Sequence, residues 1–151
     1  MDAYKKLLDA LEITHGFQTF RDYLLNPNPP DNSIILRHDV DKHPENSLQT
    51  AIVEHQKGIT STYYFRILPD VFNPEIIKEI AGLGHEIGYH YEDLSLTAKY
   101  KRFNQGLEHN SEDLMDDAYN LFKNHLEKVR HYYPVETICM HGSPRSRYDN
   151  K

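Results

Sequence analysis

The chain carries a single cysteine, Cys139, so an internal disulfide is excluded. That thiol lies in the apolar run Thr137-Ile-Cys-Met140 and reads as a core residue. There is no basic excess. Lys and Arg number 17 against 23 Asp and Glu, a net charge of -6, which argues against a nucleic-acid or anionic-membrane surface. No apolar run is long enough to span a membrane. The first residues form an amphipathic helix start without the apolar core of a signal peptide, so the expected location is the cytoplasm. A phosphate loop, a dinucleotide glycine fingerprint and a serine elbow are all missing. The acids are scattered, with no acidic tail, and there is no internal repeat or low-complexity tract.

What is present is an alternation of strand and helix patterns in 151 residues, enough for one domain with a core. Residues 1–25 read as an N-terminal helical segment of one or two short helices, with Tyr4, Leu7, Leu8 and Leu11 at helical spacing. Residues 26–33, rich in Pro and Asn, read as a linker. Strands are expected at 34–37, 59–67, 86–89 and 136–140. Helices are expected from Pro44 to Gly58, from Pro74 behind the N-cap Asn73 to about Ala81, and over 111–132. The last has a stripe of Leu114, Ala118, Leu121, Phe122, His125, Leu126 and Val129. This β-α-β-α-β-α-β order predicts an α/β fold of parallel β/α units, a parallel sheet or part of a barrel, over 34–151.

The strand ends carry the chemistry. Strand one ends at His38-Asp-Val-Asp41, strand three at His90 and strand four at His141. In a parallel α/β sheet those ends share one edge, where ligands bind. Imidazole and carboxylate together suit a divalent metal, above all zinc. Such a metal lowers the pKa of bound water and polarises a carbonyl, while a nearby carboxylate takes the proton. Two rival motifs fail. His85-Glu86 lacks the second histidine of a zinc-protease helix, since position 89 is Tyr. Asp39-Val-Asp41 is not a calcium loop, since Pro44 stands where the glycine turn should be.

With these residues in place, the chain resembles the polysaccharide deacetylases of the NodB-homology superfamily (carbohydrate esterase family four). Arg37-His-Asp-Val-Asp41, Gly84-His-Glu-Ile-Gly-Tyr-His90 and Met140-His-Gly-Ser-Pro144 carry the likeness, which covers about residues 33–148 and looks most like a bacterial branch associated with surface polysaccharides. The resemblance implies an irregular (β/α) barrel and metal-dependent removal of acetyl groups from a carbohydrate. By that pattern metal-bound water is the nucleophile, Asp39 is the general base, and Asp41 and His90 hold the metal. The family's usual second histidine falls on Leu94, so His141 is the candidate third ligand, with Glu92 or Asp93 in reserve. The family's third motif reads Gly142-Ser-Pro-Arg-Ser-Arg147 here, and its later Asp/Trp motif and late histidine would lie beyond Lys151. The chain is therefore expected to be a fragment or half of a split product, associating as a homo-oligomer or with a missing C-terminal half.

Bland readings stand beside these. Asp39 and Asp41 would otherwise cap the next helix or pair with Arg37 or Lys42, and His90 would be a hydrogen-bonded core histidine. His38 and His85 read as structural or as orienting a ligand. His43, His55, His109, His125 and His131 read as surface or packing residues. Arg66 and Arg145 read as solvated charge before substrate contacts. The alternatives to a deacetylase are a non-catalytic carbohydrate- or partner-binding module derived from that fold, and another metallohydrolase using the same sheet edge.

Overall fold

In the computed structural model, which describes residues 1–105, 111–142, 148 and 150, four parallel strands form a curled half-barrel sheet with helices on its outer side. The strands are β3 (Arg37–Val40), β4 (Thr62–Phe65), β5 (Glu86–Tyr91) and β6 (Ile138–Met140), in that spatial order. The crossovers are α3 (Pro44–Gln56), α4 (Pro74–Gly82) and the pair α5 (Asp93–Gln105) and α6 (Ser111–Arg130). Ahead of them stand α1 (Asp2–Glu12), β1 (Gly16–Phe17), α2 (Phe20–Leu25) and β2 (Ser33–Ile34), the two short strands pairing in parallel.

Local chemistry sets the helix ends. Asn73 caps α4 by accepting from the Glu75 and Ile76 backbone N–H groups, with Pro74 at the first helical position. His43 takes a left-handed φ of 51°, which turns the chain from Asp41 directly into α3 at Pro44. Gly84 adopts φ +91° on the way into β5, a conformation glycine takes at no steric cost.

Strand alternation gives the sheet two unlike faces. Register pairs His38 with Tyr63, Val40 with Phe65, Tyr63 with Ile87 and Phe65 with Tyr89. Apart from His38 this outer face is apolar. It joins Ala51 of α3, Ile76, Ile77 and Ile80 of α4 and Val129 of α6 in one buried core. The inner face pairs Arg37 with Thr62, Asp39 with Tyr64, Thr62 with Glu86, Tyr64 with Gly88 and His90 with Cys139. It is polar along its length. Its N-terminal end is closed by α2: the Phe20 N–H donates to Thr62 Oγ1 (2.9 Å) and the Arg21 N–H to Glu86 Oε2 (2.9 Å). Glu86 also accepts from the hydroxyls of Thr62 and Thr137, so both oxygens of the buried carboxylate are bonded. At the opposite end, where Asp41, His90 and His141 stand, Arg66 donates to the Asp41 carbonyl (3.4 Å) and the Asn150 amide to the His141 carbonyl (2.7 Å).

Three differences from the sequence expectation bear on the fold. The first sheet strand starts at Arg37 instead of ending there, so His38 and Asp39 lie within it and alternate between faces. Between the two short helices of the N-terminal segment a strand intervenes: Gly16–Phe17 pairs with Ser33–Ile34, at the end of the expected linker. Helix α5 follows β5 directly; its mixed sequence lacks the apolar stripe that marks α6. The α1 segment packs into the fold, with Leu8 buried against Val53 and Ile59.

That packing includes a buried acid. Glu54 of α3 accepts hydrogen bonds from Tyr63 Oη (2.7 Å), His38 Nε2 (2.7 Å), and the hydroxyls of Ser61 and Tyr4. Burial alone would push its carboxyl up. The bonds from His38, Ser61 and Tyr4 outweigh it and hold the group at about 2. Tyr4 thereby ties α1 to the barrel wall.

Candidate metal centre

Asp41, His90 and His141 come from three separate strand ends and converge on one point. His141 Nδ1 is 3.2 Å from His90 Nε2 and 3.3 Å from Asp41 Oδ1; His90 Nε2 is 3.6 Å from Asp41 Oδ1. Ligands around a tetrahedral zinc, with Zn–N near 2.0–2.1 Å, stand about 3.3–3.4 Å apart. The three separations straddle that value. Asp41 Oδ1 is buried and makes no hydrogen bond, facing the two imidazoles instead. A buried, unbonded carboxylate oxygen aimed at two ring nitrogens is the arrangement a cation satisfies.

The backbone fixes the histidines. His90 Nδ1 is 3.0 Å from the Cys139 carbonyl, which as an acceptor places the proton on Nδ1 and leaves the Nε2 lone pair bare. Burial holds the His90 pKa below its usual value, which favours the neutral, ligating imidazole. The His141 N–H donates to the Tyr91 carbonyl (2.8 Å), which continues the β5–β6 pairing and swings its ring against His90.

Asp39 lies one layer deeper on the same face. Its Oδ2 is 3.8 Å from His90 Nε2. Arg37 grips both its oxygens, Nε to Oδ1 at 2.9 Å and a terminal nitrogen to Oδ2 at 2.6 Å, and that bond raises the Arg37 pKa. The pairing of Asp39 with Arg37 is the structural alternative named above. It leaves one lone pair free on each carboxylate oxygen. Arg37 itself lies over the Tyr64 ring, 5.8 Å from its centre. Gly88 lies beside that ring: a Cβ there would collide with it.

The reserve ligands are engaged elsewhere. Arg66 holds Glu92 through two bonds of 2.5 and 2.7 Å. Asp93 accepts from Tyr89 Oη (2.6 Å) and meets His125 Nδ1 (2.7 Å) on the helix side of the sheet. Arg66 is thus a partly buried ion-pair partner and not a solvated charge. His125, read as a packing residue, has this polar anchor. His85 accepts from the Ser61 N–H at Nδ1 and donates from Nε2 to the Ala51 carbonyl, which makes it structural. His109, Arg145 and the rest of 143–147 lie outside the described residues.

Cys139 corrects its core reading. It is half-buried on the inner face, and its donor atom lies within 4.8 Å of those of Asp39 and His90. Burial pushes its thiol up. Its position two residues before His141, on one face of a strand, was the available sequence signal. Only the β5–β6 register shows that it lies opposite His90. Comparison with protein-family models, curated proteins and solved structures gave no match.

Proposed function

We propose that the protein is a metal-dependent hydrolase that removes acetyl groups from a carbohydrate. The observation that carries the hydrolase reading is the convergence of Asp41, His90 and His141 beside the Arg37-held carboxylate of Asp39. The motif likeness at 37–41, 84–90 and 140–144 supplies the substrate class. A divalent cation bound there, best zinc given two imidazoles and a carboxylate, would polarise the acetyl carbonyl and make water more acidic. Asp39 takes the proton of the attacking water on a lone pair that Arg37 leaves open, and returns it to the leaving nitrogen or oxygen. Arg37 fixes the angle of that carboxylate. The Cys139 carbonyl fixes the tautomer of His90.

The reading includes association with a second chain. Among the described residues β3 and β6 are open edges of the half-barrel, and such edges invite partners. Light scattering showing a stable monomer at high concentration would remove that part.

The test is acetate release from acetylated oligosaccharides, with metal content measured on the same samples. Release that stops on chelation, returns with zinc, and is lost in Asp39→Asn while zinc is retained supports the proposal. Oligosaccharide binding by calorimetry without any acetate release favours the non-catalytic module. Phosphate release from phosphorylated sugars favours another metallohydrolase.

A further inference from the structure

Two donor groups share the His90 imidazole. The first is Asp41, His90 and His141. The second is Asp39, His90 and Cys139, whose donor atoms also lie within 4.8 Å of one another. Sheet register creates the second group. Cys139 pairs with His90 across β5 and β6, and Asp39 lies two residues before Asp41 on the same inner face. It is therefore one layer deeper, next to the Tyr64 ring that pairs with Asp39. Asp39 reaches to 3.8 Å from His90 Nε2 and keeps a free lone pair on each oxygen despite Arg37. Cys139 Sγ makes a weak 3.6 Å contact to the Met140 carbonyl, which a cation would readily displace.

We infer that Cys139 is a further metal ligand, and that Asp39, His90 and Cys139 form a deeper position selective for thiophilic cations such as cadmium. This rests on the reading of the upper group as a metal centre. One ring nitrogen serves one cation at a time, so the two positions are alternatives. Nitrogen and oxygen donors above suit a borderline cation; the sulfur below biases the choice toward a softer one. Binding there exchanges the thiol proton, released to buffer, for a sulfur–metal bond. The deeper position is inhibitory, because it takes up Asp39, the carboxylate proposed to accept the proton of water.

The experiment titrates cadmium and cobalt into the full chain and reads sulfur-to-metal charge-transfer absorption. Three proteins are compared: wild type, His141→Ala and Cys139→Ser. Serine leaves intact the backbone carbonyl that orients His90, so the substitution removes the sulfur alone. In wild type, cadmium gives a sulfur band that saturates at one equivalent. The band persists in His141→Ala. In Cys139→Ser it disappears and cadmium affinity falls at least about tenfold, while cobalt still binds through the upper group and shows its visible bands. Alkylation of Cys139 by iodoacetamide slows in wild type when cadmium is bound. Cadmium or cobalt bound with no sulfur band, and with unchanged alkylation, overturns the inference and leaves the upper centre standing. No binding of either ion overturns both.

Discussion

His141 Nδ1 stands 3.2 Å from His90 Nε2, although the two residues are 51 positions apart. The His90 proton is committed to the Cys139 carbonyl, so a hydrogen bond between the rings requires the proton on His141 Nδ1. With a cation present that proton must leave or move to the far ring nitrogen. The contact is thus one of two uses of the same geometry, and Asp41 Oδ1, unbonded at 3.3 Å, favours the second.

Arg37 positions Asp39 and is not itself a ligand. Arg37→Met should leave zinc stoichiometry unchanged and lower kcat about 10- to 100-fold, since the carboxylate loses its fixed angle. Elemental analysis and steady-state kinetics on one preparation separate the two effects. Loss of zinc in this variant would show that Arg37 supports the metal group instead.

Glu54 should dominate the acid limb of stability. Its carboxyl is held at about 2 against an ordinary value of 4.5, so its contribution is full above about pH 4.5 and disappears as pH falls through about 2. That displacement corresponds to on the order of 3 kcal/mol. Glu54→Gln leaves His38, Tyr4, Ser61 and Tyr63 without their charged acceptor, at a cost of about 3–5 kcal/mol at neutral pH. Urea denaturation from pH 7 to pH 3 should show a smaller pH slope in the variant. An unchanged slope would place the acid sensitivity elsewhere.

Gly88 is required by the ring beside it. Gly88→Ala drives a methyl into Tyr64 on the crowded inner face, costing about 1–3 kcal/mol by overpacking. The companion Gly82→Ala, where a Cβ meets open space, should not destabilise. A shift of the denaturant midpoint in the first and none downward in the second is the expected pattern. Equal loss in both would point to backbone conformation in place of the Tyr64 contact.

Much of the fold was readable because period-2 and helical patterns alternate along the chain. Pro44 and the Asn73–Pro74 pair marked helix starts that the structure keeps. The strand ends of Asp41, His90 and His141 followed from that order. Three things did not. The three-residue shift of β3 was hidden because 34–40 is strand-like throughout, and only pairing with Thr62–Phe65 fixes the register. Helix α5 has weak apolar periodicity, so its start at Asp93 was unmarked and that acid was kept as a spare ligand. The roles of Glu54 and Cys139 depend on partners far away in sequence, Tyr4 for the one and His90 for the other. No spacing rule along a single strand or helix reports such partners.

The zinc that purified protein retains after dialysis decides the metal centre, measured by elemental analysis for wild type and for Asp41→Ala and His90→Ala, both made together with Cys139→Ser so that the deeper sulfur cannot hold zinc. The account predicts one equivalent in the wild type and almost none in either variant, a loss beyond the roughly 10–100-fold in affinity that removing an outer hydrogen-bond partner costs. Full stoichiometric zinc in either variant would contradict the assignment of the metal to Asp41, His90 and His141.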